Sequence, residues 1–420
     1  MAENITILHL SDMQFGIHHR FGAKDTELDS LLNRLCEDLI GLKINPDLII
    51  LSGDLTEWAL PKEFDDLFLF VDGLSQKLNI PHKRIIMISG NHDINRKKCE
   101  HYFDNCELER KEPKEPYFEK WIFYKRFFDK FYAGESDILF TEENPYSLFV
   151  IEELKVVVAA LNSTMKESHR DGDHYGFVGE EQLRWFRDKL EKYKQQGWFR
   201  IAAVHHNVQR GAINDDENLK DAADLKRLLK DSVNLVLHGH THQADLAWLT
   251  QKAPILATGS AGLKQEIRPE GVPNQYQIIK LHAQGLNRYC RAFIATEKKW
   301  GWDNTVHNNP AEPFEIEAIA FENINAAFTV KSEFETSPTF ITPEIPRLTK
   351  KSTKIAILIA NPINRNYEYD ELLKGFKKLK CEVHHFYLSC DALNNLEDYD
   401  YIFIASKWIN IVDPEIRTID

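Results

Sequence analysis

Short apolar runs that end in polar residues recur along the first 250 residues of the chain. Their length, their content of Ile and Val and the polar turns around them are typical of buried β-strands. Five such runs are ITILHLSD, DLIILSGD, RIIMISGN, RIAAVHH and NLVLHGHTH. Side chains that can bind metal stand at or just after the end of each run, namely Asp12 with Gln14, Asp54, Asn91 with His92, His205 with His206, and His240 with His242. Because these side chains leave their strands at the same end, the pattern predicts one site at the carboxyl edge of a sheet.

The motif order is Asp-x-Gln, Gly-Asp, Gly-Asn-His-Asp, His and Gly-His-Thr-His, and it resembles the calcineurin-like metallophosphoesterase superfamily over residues 1 to about 290. The resemblance implies an α/β fold of four layers (αββα), with two packed sheets flanked by helices. It also implies two metal ions at the strand ends. One ion would be held by Asp12, Gln14, Asp54 and His242, and the other by Asp54, Asn91, His205 and His240. The family usually takes the first histidine of a His-His pair as the ligand, which leaves His206 as a candidate for substrate binding.

Two divalent cations about 3.5–4 Å apart can clamp the oxygens of a phosphoryl group during in-line displacement. Water bound to such ions loses a proton readily and gives hydroxide, the expected nucleophile, at neutral pH. The resemblance makes His92 a donor to the phosphoryl or leaving-group oxygen. Asp93 follows His92 and is expected to fix its tautomer, so the predicted catalytic pair is His92 and Asp93.

The first motif departs from the usual pattern, since most members carry Asp-x-His where this chain has Asp12-Met13-Gln14. Glutamine offers a neutral carbonyl oxygen or an amide nitrogen instead of an imidazole. An oxygen ligand favours Mn²⁺ or Mg²⁺ over Zn²⁺, and iron stays among the alternatives. The resulting Asp-x-Gln motif is similar to that of a family branch that acts on ADP-ribose and related nucleotide diphosphates, so the change is compatible with catalysis. The alternative is a degraded site that binds without turnover.

Composition bounds the remaining function classes. A length of 420 residues predicts two domains, and 43% hydrophobic residues are typical of a globular protein. We expect no membrane association, because no apolar run reaches the length of a membrane span and none precedes the first strand. The six cysteines, which include Cys99 and Cys106, lack metal-type spacing. They favour separate thiols in a reducing cytoplasm over a disulfide framework.

The net charge of −13 argues against a general nucleic-acid binder, although a local basic patch could override it. Arg20, which lies just past the first metal motif, is a candidate phosphate contact. Arg96, Lys97 and Lys98 follow the Gly-Asn-His-Asp motif and are further candidates. The alternative is that all four side chains lie in solvated turns and contact no substrate.

An aromatic and highly charged insertion is predicted over residues 95–147, where it caps one side of the site. Tyr117, Trp121, Tyr124 and Phe128 recur at helical spacing, which usually means core packing. The alternative is a set of exposed rings that stack on a nucleobase. After the insertion, VVVAALNST predicts a strand, EEQLRWFRDKLEKYKQQG an amphipathic helix, and QYQIIKLHAQ with RYCRAFIA a hairpin that closes the second sheet.

The C-terminal third has a different organisation. The phosphoesterase domain is predicted to end at residue 295, and residues 296–350 form a linker rich in Pro, Ser and Thr. Residues 351–420 show a β-α-β pattern, which predicts a smaller parallel α/β module. It is similar to the opening of a TIR-like or flavodoxin-like domain and looks partial, as in a fragment of a longer protein. We expect it to serve protein interaction.

The sequence therefore predicts a binuclear metal-dependent phosphoesterase that hydrolyses a phosphodiester or pyrophosphate bond in a nucleotide-type substrate. A DNA or RNA nuclease of the same superfamily is one alternative, because it would use the same metal core. A sensor that binds a phosphorylated ligand without cleaving it is the other. The oligomeric state is left open.

Overall fold

The computed structural model describes residues 4–21, 29–208, 218–251, 253–282 and 285–306, together with the backbone of four strands beyond residue 313. The chain divides into two compact units, Met1–Glu335 and Thr336–Asp420, which are described separately below. Among the described helices, none combines the length and apolar character that crossing a bilayer requires.

The first unit alternates strands and helices. Its strands are β1 Ile5–Leu10, β2 Leu48–Leu51, β3 Ile85–Met87, β4 Ser147–Ile151, β5 Val156–Ala160, β6 Phe199–Ala203, β7 Leu235–His238, β8 Asp245–Thr250, β9 Ala253–Ala257, β10 Gln275–His282, β11 Gly285–Ile294, β12 Lys299–Trp302 and β13 Phe314–Glu317. Its helices are α1 Leu31–Gly41, α2 Pro61–Leu78, α3 Arg96–Leu108, α4 Ile122–Phe131, α5 Glu180–Gln195 and α6 Ala222–Leu229.

Local sequence explains where several helices begin. Ser30 precedes α1 and its side chain accepts a hydrogen bond from the backbone N–H of Asn33 at 3.2 Å. Asn95 precedes α3 and accepts from the N–H of Lys98 at 2.9 Å. Both side chains satisfy N–H groups that the first helical turn leaves unpaired. Pro61 opens α2, where its fixed φ suits the first helical position.

The strands form two sheets. The first has the order β12-β11-β10-β1-β2-β3, with β13 also paired to β11, and the second has the order β4-β5-β6-β7-β9-β8. Strands β1, β2 and β3 run parallel in the first sheet. Strands β5, β6, β7 and β9 run parallel in the second. All five predicted ligand-bearing strands form, as β1, β2, β3, β6 and β7.

Side chains alternate across β5, which shows how the layers pack. Val156, Val158 and Ala160 join the core shared with the first sheet and with α1, α2 and α4. Val157 and Ala159 point the other way, into a second cluster beneath α5 and α6. A strand buried on both faces reads as a continuous apolar run, as this one does. The predicted four-layer α/β fold is confirmed.

The structure corrects two details of this prediction. The ligand-bearing strands do not share one sheet, because β1, β2 and β3 belong to the first and β6 and β7 to the second. The hairpin of β10 and β11 pairs with β1 and so extends the first sheet rather than closing the second. An alternating apolar pattern fixes which face of a strand is buried, but not which neighbour it pairs with.

Three of the four rings in the aromatic stripe of the insertion are buried, and the fourth, Tyr117, is half-buried. Trp121, Tyr124 and Phe128 pack in the main core, and α4 lies against α2. The Tyr124 hydroxyl lies 3.4 Å from the Met87 carbonyl, at the end of β3. The expected core packing is therefore confirmed, and these three rings are inaccessible to a nucleobase. Cys99 and Cys106 are separate buried thiols, as expected.

The first sheet extends beyond its predicted boundary. Both β12 and β13 pair with β11, so the sheet reaches Glu317 and the predicted end at residue 295 is too early. In the second unit, strands β14 Lys354–Ile359, β15 Glu382–Tyr387 and β16 Tyr401–Ala405 are parallel in the order β15-β14-β16. The helix expected from YDELLKGFKKLK lies outside the described residues.

Candidate metal centre

The candidate ligands sit on loops whose backbone is unusual. Asp12, Gln14, Asp54, His240 and His242 all adopt left-handed backbone conformations, with φ between 41° and 66°. Such a conformation costs a non-glycine residue about 1–3 kcal/mol, and it persists only where the surroundings enforce it. Five cases in one cluster indicate loops shaped for a site rather than for stability.

Hydrogen bonds between the loops enforce this shape. The N–H of Asp12 donates to the Gly53 carbonyl at 3.0 Å, and the N–H of Gln14 donates to the Asp54 carbonyl at 2.9 Å. Two glycines permit the close approach. A Cβ on Gly90 would collide with Oδ1 of Asp54, and one on Gly239 would collide with Oδ2 of Asp12. The glycines of the Gly-Asn-His and Gly-His motifs are thus explained by packing against the carboxylates.

Two groups of side chains meet at the strand ends. One consists of Asp54, His205 and His240, and the other of Asp12, Asp54 and His242. Within each group the atoms that can bind metal lie within 4.8 Å of one another. Asp54 belongs to both groups. The structure therefore brings together all of the predicted carboxylate and imidazole ligands.

The first group presents converging lone pairs. Nδ1 of His205 lies 2.9 Å from the Ser52 carbonyl, which can only accept, so the neutral ring carries its lone pair on Nε2. That Nε2 faces Oδ1 of Asn91 at 3.0 Å, Oδ1 of Asp54 at 3.2 Å and Nδ1 of His240 at 3.2 Å. Acceptors that face one another at this range are stabilised by a proton or a metal ion between them, so the side chains fit a metal ion.

The electrostatics of this group also favour positive charge. Burial opposes protonation of His205, but the carboxylates of Asp54 and Asp12 outweigh it and raise the pKa of His205 to about 10. Burial, together with the charge on His205, lowers the pKa of His240 to about 3 despite the same carboxylates. The cluster thus stabilises positive charge in this position, as a bound metal ion would supply it.

The second group converges in the same way. Oδ1 of Asp12 is buried without a hydrogen bond of normal geometry, although Nε2 of His242 lies 3.2 Å away. Oδ2 of Asp12 accepts from the N–H of His240 at 3.0 Å, which fixes the carboxylate. A buried carboxylate oxygen beside an imidazole nitrogen, with the rest of the carboxylate held in place, fits a metal ligand pair.

The two oxygens of Asp54 have different neighbours. Oδ1 lies beside His205 and accepts from the N–H of His92 at 2.9 Å. Oδ2 accepts from Nε2 of Gln14 at 3.2 Å. Gln14 is therefore in the site as a hydrogen-bond donor, and a half-turn of its amide would exchange the nitrogen for the carbonyl oxygen. Its role as a ligand stays a prediction.

Asp93 does not hold His92, contrary to the sequence-based expectation. Nδ1 of His92 donates to the carbonyl of Glu57 at 2.8 Å. The carboxylate of Asp93 accepts from the N–H groups of Gly90, Leu55 and Thr56, at 2.8, 3.1 and 2.8 Å. Burial and the charge of Asp54 raise the pKa of Asp93 to about 6. Asp93 thus joins the loops after β2 and β3, while a backbone carbonyl fixes the His92 tautomer.

The two candidates for substrate binding are engaged elsewhere. His206 is buried, its Nδ1 lies 2.7 Å from the Ser163 hydroxyl, and its ring centroid lies 4.6 Å from that of His240. This position supports His240 rather than facing a substrate. Arg20 donates to Oδ1 of Asn274 at 3.2 Å, and its guanidinium lies 4.8 Å from the Phe293 ring. It therefore contacts the β10–β11 region.

The three basic residues that follow the Gly-Asn-His-Asp motif lie in different environments. Lys97 is exposed and pairs with Glu100 at 2.7 Å. Lys98 lies 5.6 Å from the ring of Phe123. Arg96 donates to the buried Glu167 at 3.0 Å. The charges of Asp54 and His92 also act on Glu167, so Arg96 and Glu167 belong to the surroundings of the metal centre.

Sequence reasoning missed two buried charges in the insertion and its neighbour loop. Nζ of Lys120 is fully buried and donates to the carbonyls of Thr164, Met165 and Glu167, at 2.6, 3.1 and 2.6 Å. Burial lowers the pKa of Lys120 to about 7 and raises that of Glu167 to about 7. Nothing local distinguishes Lys120 from the exposed lysines of the same charged segment, so no sequence signal could have identified it.

The chain is similar to several known proteins. The family model described as calcineurin-like phosphoesterase matches residues 5–244. A cAMP/cGMP dual specificity phosphodiesterase of Mycobacterium tuberculosis is 25% identical over 243 residues, covering 56% of this chain and 61% of that protein. A probable glycerophosphodiester phosphodiesterase of Arcobacter nitrofigilis is 24% identical over 259 residues, covering 60% and 77%. The chain thus matches less than two thirds of the first relative's length.

Among solved structures, a dimetal phosphatase from Danio rerio aligns with a TM-score of 0.45 at 12% identity. The alignment covers 75% of this chain and 99% of that one.

Proposed function

Since the chain belongs to the calcineurin-like phosphoesterase family of metal-dependent phosphohydrolases, we propose that it hydrolyses a phosphodiester or pyrophosphate bond in a nucleotide-type substrate. The observation that carries the proposal is the sharing of Asp54 between two groups of converging acceptors. A carboxylate that faces two cation positions can lower the repulsion between two ions held close together. The two relatives reported above are named as phosphodiesterases, one of them for cyclic nucleotides.

We propose two divalent ions, with manganese preferred. Bound ions would neutralise charge on the phosphoryl oxygens and make water a better nucleophile at neutral pH. One ion would be held by Asp12, Gln14, Asp54 and His242, and the other by Asp54, Asn91, His205 and His240. The preference for manganese rests on the oxygen donors of Asn91, Gln14 and the two carboxylates.

His92 is the proposed proton donor to the oxygen that leaves. Its Nδ1 proton is used by the Glu57 carbonyl, and its backbone N–H is used by Asp54. The ring is therefore held beside the metal centre with Nε2 as the remaining position for a transferable proton. Asp93 acts indirectly, because it joins the two loops that carry Asp54 and His92. Arg96, held by Glu167, is the proposed cation for a substrate phosphate.

A hydrolysis screen tests the proposed function. Protein stripped with a chelator and reloaded with manganese would be offered cyclic mononucleotides, nucleotide pyrophosphates, a glycerophosphodiester, and single- and double-stranded DNA. We expect turnover of mononucleotide esters that chelation abolishes. Preferential cleavage of DNA would favour the nuclease alternative. It would also show that the negative net charge does not prevent binding of nucleic acid. Binding of nucleotides without turnover of any ester would favour the sensor alternative.

Gln14→His is expected to shift the metal preference towards zinc. Imidazole would replace an amide at the first ion, and we expect zinc affinity to rise by about tenfold, equivalent to about 1.4 kcal/mol. Competition between zinc and manganese, followed with a chelating indicator, measures the shift. Gln196→His, on the exposed end of α5, is the matched control. An unchanged preference would show that Gln14 does not contact metal.

The C-terminal strands are proposed to contribute no catalytic residue. A chain that ends after Glu335 keeps every candidate ligand and both complete sheets of the first unit. Its kcat/KM on bis-p-nitrophenyl phosphate should change by less than about threefold, which is under 1 kcal/mol in activation free energy. Circular dichroism would check folding in parallel. Loss of hydrolysis in a folded shortened chain would place part of the active site beyond residue 335.

A further inference from the structure

Three large apolar side chains are exposed on the segments that follow Gln14 and Asp54. Ile17 is 67% exposed, Trp58 is 54% exposed and Leu60 is 45% exposed. We refer to these three side chains as the rim patch. Exposed apolar side chains that are scattered singly need no explanation, but a group at the edge of a reaction centre does.

The two segments of the rim patch lie side by side. Phe15 and Thr56 form a parallel bridge, so the chain after Gln14 runs along the chain after Asp54. Farther along the same two segments, Nδ1 of His18 lies 2.5 Å from Oε1 of Glu57. Ile17 directly precedes His18 and Trp58 directly follows Glu57, so this contact holds the backbones of Ile17 and Trp58 near each other. The carbonyl of that same Glu57 accepts from His92, so the rim patch borders the proposed proton donor.

The backbone of the rim patch is fixed while its side chains are exposed. Oε2 of Glu63 accepts from the N–H of Trp58 at 2.9 Å and from the N–H of Leu60 at 3.0 Å. The Trp58 carbonyl accepts from Nδ2 of Asn95 at 3.4 Å. Because Asn95 also caps α3, directly after the His92 loop, the position of Trp58 is tied to the metal centre. A flat ring on such a rigid support loses little freedom when a ligand stacks on it.

We propose that Trp58, flanked by Ile17 and Leu60, stacks the nucleobase of the substrate. The inference rests on the proposed function and deepens it, since it makes an aromatic base part of what the site recognises. Base stacking on aromatic side chains is tolerant of base identity, because every base has a π-face. Three side chains are too small an area for a stable protein interface, which buries about 800 Å² on each partner. Trp121, Tyr124 and Phe128 cannot take this role because they are buried.

Binding of AMP and of ribose 5-phosphate to the manganese-loaded full chain tests the inference, since the two ligands differ by the base. Trp58→Ala should weaken AMP binding by about 5- to 150-fold and leave ribose 5-phosphate unchanged. Trp58→Phe should recover most of the loss. Trp248→Ala is the matched control, because Trp248 is another exposed tryptophan on β8, and it should bind both ligands like the wild type.

Hydrolysis provides a second measurement. Trp58→Ala should raise KM for a cyclic nucleotide and spare kcat/KM for glycerophosphoethanolamine, which has no ring. An equal effect on both substrates, or AMP binding that does not change in Trp58→Ala, would overturn the role of Trp58 and leave the proposed hydrolysis standing. If the wild type hydrolysed no ester yet bound AMP through Trp58, the proposed hydrolysis would fail while the stacking role stood.

Discussion

Asp54→Asn is expected to remove both of the proposed metal ions and hydrolysis together. Asparagine keeps the shape of the side chain and tolerates the left-handed backbone at this position, where φ is 51°. It removes the negative charge that both ligand groups share. We expect manganese affinity to fall by more than about 100-fold, since changes outside a ligand set already cost 10- to 100-fold. Metal per chain, measured by mass spectrometry after gel filtration, would be reported beside kcat/KM.

The matched control for this prediction is Asp104→Asn, because Asp104 is an exposed aspartate on α3. It should retain metal and activity. If Asp54→Asn kept two ions and normal turnover, the carboxylate would not be a shared ligand. If it kept one ion with full affinity, Asp54 would serve a single site.

His92→Ala is expected to retain metal and to slow turnover. A positioned proton donor contributes about 10²–10⁴-fold to rate. The loss should be greatest for substrates whose leaving group is an alkoxide, such as a cyclic nucleotide. It should be smaller for bis-p-nitrophenyl phosphate, because p-nitrophenolate leaves with little need of a proton. Steady-state kinetics on both substrates, with metal content measured in the same preparations, would distinguish a loss of proton donation from a loss of metal.

His101→Ala is the matched control here, since His101 is exposed on α3. Equal losses of rate for the two substrates would contradict a role in proton donation. Loss of metal in His92→Ala would show instead that His92 supports Asp54 through its ring.

The strands of this protein could be predicted from sequence because burial is encoded locally. Runs such as LIIL and VVVAA are apolar on both faces, and the turn after LIIL carries Asp54. The partners of those strands are decided by long-range packing, which is why the hairpin of β10 and β11 was assigned to the wrong sheet. A local pattern carries no information about a neighbour more than 250 residues away in the chain, as β10 is from β1.

The candidate site shows the same limit at the scale of single hydrogen bonds. Motif order was sufficient to select Asp12, Asp54, His205, His240 and His242, which the structure places together. The partner of His92 was missed, because it is a backbone carbonyl 35 residues earlier in the chain and not the adjacent aspartate. Any residue could supply that carbonyl, so only the path of the loop identifies Glu57.

Low-temperature electron paramagnetic resonance of the wild-type chain, titrated with manganese, tests most directly whether Asp54 is shared. Two Mn²⁺ ions bridged by one carboxylate should give the signal of a magnetically coupled pair, at a saturation of two ions per chain. Hydrolysis of a cyclic nucleotide should rise with that signal. A spectrum of isolated Mn²⁺ ions at saturation, or fewer than two ions per chain, would contradict the account.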